Sequence, residues 1–214
     1  MMKKRLWSRW ILALAVVWPF MAAAHDRVRE KENFDFDWKF ILNADDQANA
    51  GMQVSETGWQ DVQLPHDWSI SQNFDPKLSG SNGHLPGGIG WYRKMFRVDK
   101  KDKGRRIAVL FDGIYSRSDV YVNGQHLGFR PYGFCYQEYD LTPYLNYGAE
   151  NVLAVRVNNP LEHDSVARWY PGAGIYRHAW LVKTAEVHVA SYGTYVTTPV
   201  VTAERAEVRV RTSG

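Results

Sequence analysis

Residues 119–128 read DVYVNGQHLG, in which two short strand-like segments flank Asn123 and Gly124. An Asn-Gly pair in this position favours a type I′ turn, because both central residues of that turn need a positive φ. The stretch therefore predicts a β-hairpin. Further segments that alternate or are continuously apolar lie on both sides of it: residues 38–42, 59–64, 91–98, 106–111, 151–158 and 175–182.

The rest of the pattern also predicts an all-β protein. No window of a dozen residues has apolar side chains at i, i+3, i+4 and i+7, so a long amphipathic helix is not expected. Residues 106–111 are nearly all apolar, as in a strand that is covered on both faces. Many short strands separated by Gly, Pro and Asn are typical of a β-sandwich or jelly roll.

The first 24 residues have the pattern of a secretory signal peptide. Basic residues precede an apolar run at residues 11–20, and Ala22, Ala23 and Ala24 follow it. A membrane anchor is the alternative, but the run is shorter than the roughly 20 apolar residues that cross a bilayer. Cleavage after Ala24 leaves 22 Lys and Arg against 23 Asp and Glu. We therefore expect an exported protein, periplasmic or secreted, that binds neither nucleic acid nor, after cleavage, a membrane.

Motifs for metals and cofactors are missing from the sequence. Cys135 is the single cysteine, so an internal disulfide is excluded. The sequence has no CxxC pair, no HExxH and no glycine-rich phosphate motif, and we expect no metal and no cofactor. His163 and Asp164 could contact a cation, although a solvated loop explains them as well.

The domain organisation follows from interruptions in the strand pattern. We interpret residues 25–33 as a leader and residues 34–183 as the first domain. Strand-like segments restart at residues 186–189, 195–201 and 206–211. Two or three strands cannot cover their own apolar face, so residues 186–214 are predicted to be the truncated start of a second sandwich. The alternative is an extra hairpin that joins the first sheet.

Six segments together carry a resemblance to a known family. They are residues 59–68 (WQDVQLPHDW), 90–96 (GWYRKMF), 111–128 (FDGIYSRSDVYVNGQHLG), 139–145 (YDLTPYL), 151–159 (NVLAVRVNN) and 168–180 (RWYPGAGIYRHAW). In this order they resemble the N-terminal sugar-binding domain of glycoside hydrolase family 2, which contains β-galactosidases, β-glucuronidases and β-mannosidases. The LPHDW and RWYPGAGIYR segments look most like the β-galactosidase branch of secreted enzymes from gut-type bacteria.

The resemblance implies a galactose-binding-like jelly roll, then an immunoglobulin-like sandwich, then a (β/α)₈ barrel with two catalytic glutamates. Enzymes of this family are retaining, and the acid/base glutamate follows an asparagine. The sequence has no Asn-Glu dipeptide and ends before a barrel could begin. We therefore expect the chain to be inactive by itself, with a β-galactoside-like carbohydrate and the missing barrel as partners. Assembly into a homo-oligomer stays open.

The resemblance also implies that jelly-roll loops close the sugar subsite, and Arg168, Trp169 and Tyr170 are the first candidates. A pyranose needs hydrogen bonds to its hydroxyls and a flat apolar surface for its C–H face. Other branches have an acidic residue about where Arg168 stands, but a guanidinium could donate to two vicinal hydroxyls. The alternatives are an ion pair for Arg168 and packing between domains for the two aromatic residues.

His66 and Asp67 are the second candidates, because they follow Pro65 at the end of a predicted strand. Asp67 would accept a hydrogen bond from a sugar hydroxyl, or it would cap the turn by accepting from the N–H of Ser69 or Ile70. The third candidate is residues 87–92 (GGIGWY), where glycines leave backbone contact or access for a longer substrate.

Two other functional classes share the sandwich and the aromatic residues. One is a free-standing carbohydrate-binding module, and the other is an adhesin-like structural domain without a sugar site.

Overall fold

The computed structural model describes residues 29–78, 80, 83–160 and 169–214. The predicted signal peptide and the start of the predicted leader lie outside the described residues. The chain divides into two compact units, Lys31–Lys183 and a unit made of Thr184–Gly214 with the residues before Lys31. The described part of the chain contains no helix that could span a bilayer.

The described residues form short strands linked by turns. In chain order the strands are β1 (Glu30–Asn33), β2 (Trp38–Leu42), β3 (Gln60–Val62), β4 (Gly88–Arg97), β5 (Arg106–Phe111), β6 (Ser118–Val122), β7 (Gln125–Arg130), β8 (Gln137–Asp140), β9 (Glu150–Asn159), β10 (Ala179–Thr184), β11 (Thr194–Val201) and β12 (Ala206–Thr212). Among the fully described elements are also short 3-10 turns, at Gln47–Ala50, Ser69–Ser71, Lys100–Asp102 and Thr142–Tyr144.

The first unit is a sandwich of two sheets. One sheet has the order β3-β2-β4-β9-β6-β7, and the other has the order β1-β10-β5-β8. Alternate residues of both sheets meet in one core, which includes Trp38, Tyr92, Ile107, Phe111 and Val155. The all-β sandwich that the strand pattern predicted is therefore confirmed.

Two local predictions are borne out in detail. Residues 107–111 are all buried, so β5 is covered on both faces. Strands β6 and β7 pair antiparallel around Asn123 and Gly124, whose φ angles are 51° and 83°. The Asn123 side chain also accepts from the Val152 N–H at 2.8 Å, which fastens the turn to the neighbouring strand β9.

The outer face of the six-stranded sheet is covered by the segment that leads from β2 to β3. The Arg93 side chain on β4 is buried there, and its guanidinium donates to the carbonyl oxygens of Asn49 and Gly51 at 2.5 and 2.7 Å. It also pairs with Glu56 at 3.2 Å. Arg93 thus satisfies backbone carbonyls that the segment's own turns leave unpaired.

The second unit contains the antiparallel pair β11 and β12, with an irregularity between Thr197 and Val200. The strand predicted at residues 186–189 is wrong, since this segment has no strand pairing. Its apolar side chains meet no partner sheet within the described part of the unit, and Val187 is 92% exposed. Alternation of apolar and polar residues was therefore not sufficient to form a strand here. The immunoglobulin-like assignment of this unit stays a prediction.

Replacing Arg93 with methionine should lower the free energy of unfolding of the first unit by about 3 kcal/mol, because buried carbonyls and Glu56 lose their charged partner. The measurement is urea denaturation followed by tryptophan fluorescence. Arg97→Met, on the same strand but exposed, is the matched control and should change the value by less than about 0.5 kcal/mol. Equal stability of the two variants would contradict the anchoring role of Arg93.

Candidate functional site

Two loops that are distant in sequence meet at one end of the first unit. The His66 N–H donates to the Ile175 carbonyl at 2.8 Å, which joins the segment after β3 to the segment before β10. Tyr115 and Gly174 exchange two backbone hydrogen bonds, of 2.9 and 2.7 Å. The candidates in residues 66–67 and 169–170 therefore belong to one backbone framework.

The Tyr92 side chain holds this framework to the core. It lies on β4, is fully buried, and its hydroxyl is 2.8 Å from His66 Nδ1. The same hydroxyl accepts a hydrogen bond from the Ile175 backbone. Burial raises the pKa of Tyr92 well above its ordinary value, so the phenol stays protonated and can donate. One core residue thus contacts both loops.

Gly174 is required at the point where the loops meet. Its φ is +104°, a region that favours glycine. A Cβ at this position would overlap the Tyr92 hydroxyl and lie 2.9 Å from the His66 carbonyl oxygen. The backbone of the second loop approaches Tyr92 this closely only because residue 174 has no side chain.

The structure places His66 against the core. Its ring lies 4.8 Å from that of Phe40, centroid to centroid, and is half-buried. Burial lowers the pKa of His66, and the nearby Asp67 carboxylate opposes this shift to a smaller extent. A neutral imidazole can accept the Tyr92 proton at Nδ1. His66 is thus placed to position the loop, and its predicted contact with a sugar stays a prediction.

Asp67 and Tyr170 are brought together. Asp67 Oδ1 accepts from the Ser69 N–H at 3.0 Å, which is the turn cap considered for this residue. Asp67 Oδ2 accepts from the Tyr170 hydroxyl at 2.7 Å. Burial raises the pKa of Tyr170, and the hydrogen bond and negative charge of Asp67 raise it further. The carboxylate has about four lone-pair sites, and its hydrogen bonds with described residues occupy two of them.

Trp169 lies on the surface beside an aromatic cluster that sequence reasoning missed. Trp169 is 60% exposed, and its ring is 6.3 Å from that of Phe134. Phe134 in turn lies 5.8 Å from Tyr132 and 5.2 Å from Tyr115. The sequence did contain a signal for this cluster, because Pro131 and Gly133 are turn residues that alternate with aromatic residues. A turn at this place predicts a surface loop that carries aromatic side chains. Arg168 lies outside the described residues.

In the third candidate segment, residues 87–92, the aromatic side chains belong to the interior, and the contact of this segment with a sugar stays a prediction. Trp91 and Tyr92 are both buried, on opposite faces of β4. A Cβ on Gly87 would overlap the Asn159 carbonyl oxygen, so the chain passes close to the end of β9 here. Among the described residues there is no group of three or more His, Cys, Asp or Glu side chains that could hold a metal ion. His163 and Asp164 lie outside the described residues.

Comparison with known proteins identifies the family of the first unit. Residues 32–185 match the family model described as "Glycosyl hydrolases family 2, sugar binding domain". The chain belongs to glycoside hydrolase family 2. The resemblance that six sequence segments indicated is confirmed, and the family 2 sugar-binding domain spans most of the described residues.

Relatives in family 2 include enzymes of two specificities. The chain is 47% identical over 188 residues to the β-galactosidase BoGH2A of Bacteroides ovatus, covering 86% of this chain and 22% of that protein. It is 34% identical over 211 residues to a β-glucuronidase of Formosa agariphila, covering 86% of this chain and 21% of that protein.

A solved family 2 structure from Bacteroides cellulosilyticus superposes with a TM-score of 0.73 at 41% identity, covering 85% of this chain and 24% of that one. The chain spans about a fifth of the length of the curated relatives it matches. What it shares with them is the N-terminal sugar-binding domain of a glycosidase.

Gly174→Ala should destabilise the first unit by about 3 kcal/mol or more, because the new methyl group adds an overlap with Tyr92 to the strain of a positive φ. Gly104→Ala is the control. Gly104 has a φ of +91° and open space around its Cβ position, so this variant should lose only about 1 kcal/mol. Urea denaturation measures both. If both variants lost the same free energy of unfolding, the close contact with Tyr92 would not be the reason that residue 174 is a glycine.

The lowered pKa of His66 predicts a pH dependence with a definite sign. The unfolded chain takes up a proton near the ordinary value of 6.5, whereas the folded protein keeps the neutral ring to lower pH. The free energy of unfolding should therefore fall as pH falls below about 6.5. NMR titration of the His66 ring in folded and urea-unfolded protein checks this. A midpoint in the folded protein at or above the unfolded one would contradict it.

Proposed function

We propose that the chain is the N-terminal, non-catalytic part of an exported family 2 glycosidase, a β-galactosidase that hydrolyses O-glycosidic bonds. The higher identity to the β-galactosidase than to the β-glucuronidase supports this specificity. The basic, apolar and small-residue pattern of residues 1–24 supports export to the periplasm or medium. The catalytic barrel would lie on polypeptide beyond the chain.

The observation that carries the sugar-binding role is the hydrogen bond between Tyr170 and Asp67. It joins a loop before β10 to a loop after β3, and it places a carboxylate, a phenol and the exposed Trp169 ring on neighbouring residues. Hydroxyl-binding groups beside an aromatic face are what a pyranose requires. We call Asp67, Trp169 and Tyr170 the sugar wall. Arg168 directly precedes Trp169 and is proposed to extend it.

Two of the three sugar-wall side chains, Asp67 and Tyr170, are held by hydrogen bonds before any ligand arrives. Asp67 is fixed by Ser69 and Tyr170, and the backbone beneath is fixed by Tyr92 and Gly174. Because these groups are already ordered, a ligand would pay a smaller entropy cost for ordering them when it binds. Retaining hydrolysis needs two carboxyl groups about 5–5.5 Å apart, and in this proposal the barrel supplies both.

In the enzyme with its barrel, Trp169→Ala should lower kcat/KM for an aryl β-galactoside about tenfold, through loss of the apolar face. Tyr144→Ala removes an exposed aromatic side chain near the Asn123 turn and is the matched control. It should leave kcat/KM unchanged. Equal values for both variants and the wild type would favour a purely structural sandwich.

The chain alone should bind galactosides weakly and hydrolyse none, because the reacting groups and part of the subsite are elsewhere. Calorimetric titration and an assay with an aryl β-galactoside measure both. Micromolar binding, about −8 kcal/mol, would instead indicate a free-standing carbohydrate-binding module. Turnover by the chain alone would contradict the proposal.

A further inference from the structure

The segment that follows Ser69 lines an open surface cavity of about 530 Å³ in the first unit. Gln72, Asn73, Phe74, Asp75, Pro76 and Pro86 form most of its lining. The volume is within the range of about 300–1,000 Å³ that small-molecule sites occupy. None of the sugar-wall residues lines this cavity, so it is a separate feature of the same end of the sandwich.

The lining combines an aromatic ring with side-chain amides. Phe74 is 75% exposed, so its ring face is open to a ligand. The side-chain amides of Gln72 and Asn73 make no hydrogen bond to any other residue within the described ranges, and each can donate and accept. An open ring face beside amides is the combination that binds a pyranose, by its C–H face and by its hydroxyls.

The charge in the cavity selects against an acidic sugar. Asp75 is the only charged residue in its lining, all of which is described. Its Oδ1 accepts from the Lys77 N–H at 2.9 Å, and the carboxylate can also accept from ligand hydroxyls. A uronate in this cavity would meet a like charge, whereas a neutral sugar would not.

The loop around the cavity is held by hydrogen bonds of its own. The Asp75 N–H donates to the His84 carbonyl at 2.9 Å, and the Leu78 N–H donates to the Asp75 carbonyl at 2.9 Å. His84 Nδ1 lies 2.8 Å from the Leu78 carbonyl oxygen. These bonds hold the backbone at Asp75 and Leu78, which limits the ordering that a ligand must impose there.

Ser69 connects the cavity to the sugar wall. Its N–H donates to Asp67, and its hydroxyl donates to the carbonyl oxygen of Pro86 at 2.6 Å, on the cavity lining. A Cβ placed on Gly83, near the end of the loop, would lie 4.0 Å from the ring of Tyr170. The cavity and the sugar wall are thus neighbours that share supporting residues but have different linings.

We infer that this cavity is a second saccharide subsite, which binds a neutral pyranose unit of an oligosaccharide whose terminal sugar contacts the sugar wall. The inference rests on the proposed function, and it adds that the substrate is a neutral oligosaccharide longer than a monosaccharide glycoside. Phe74 supplies the stacking surface, and Gln72, Asn73 and Asp75 supply the hydroxyl partners.

Amide chemical-shift mapping on the ¹⁵N-labelled chain tests the inference, with ligands up to about 20 mM to detect millimolar affinity. Methyl β-D-galactoside should shift amides of residues 67–69 and 170 only. A neutral tetrasaccharide that ends in β-D-galactose should also shift those of residues 72–75. The same tetrasaccharide with a uronic acid next to the galactose should shift residues 72–75 less.

The outcomes separate the two proposals. Shifts at residues 67–69 and 170 with the tetrasaccharide, without shifts at residues 72–75, would overturn the second subsite and leave the sugar wall standing. Shifts at residues 72–75 alone would support the cavity as a saccharide site and count against the sugar wall. An absence of shifts in both segments would overturn both.

Variants measure the contribution of the cavity directly. Phe74→Ala should weaken tetrasaccharide binding about fivefold and leave methyl β-D-galactoside binding unchanged. Asn73→Ala should cause a smaller loss of the same kind. Phe129→Ala, an exposed phenylalanine on β7, is the matched control and should affect neither ligand. Equal tetrasaccharide affinities for the wild type, Phe74→Ala and Asn73→Ala would overturn the inference.

Discussion

The buried hydroxyl of Tyr92 is the constraint on which the functional end of the sandwich depends. It lies within the core, where an unpaired polar group would be costly, and both of its partners come from loops. His66 and Ile175 therefore cannot move away from each other without leaving this hydroxyl unsatisfied. The close approach also explains why residue 174 is a glycine. At this point the packing of the core determines the geometry of the two loops.

Strand β4 organises both faces of the six-stranded sheet. Consecutive side chains of a strand point to opposite faces, so Tyr92 faces the core while Arg93 faces outward. Arg93 binds carbonyl groups of the segment between β2 and β3, and Tyr92 binds the loops that carry the candidate site. A single central strand thus fixes two irregular segments, each through a buried hydrogen-bonding side chain rather than through sheet pairing.

Membership in family 2 gives these loops a chemical context. The chain shares one domain with enzymes about four times its length. The proposed function assigns the two catalytic carboxyl groups of a retaining glycosidase to the part of the enzyme that this chain does not cover. The Asp67–Tyr170 pair and the cavity beyond Ser69 are held by hydrogen bonds already present without ligand. In the proposed function, these groups select which saccharide, and what length of it, reaches the reacting groups.

The sequence by itself determined the strands, the Asn123-Gly124 hairpin and the family, because alternation and turn chemistry are local and the family's segments are contiguous. It failed at residues 186–189, since a strand needs a partner and not only alternation. Only the tertiary structure decided that Asp67 meets Tyr170 across 103 positions, that Tyr92 ties the loops together, and that a cavity lies beyond Ser69. These contacts depend on how loops from different strands converge at one end of the sandwich, and no periodicity within a single segment encodes that convergence.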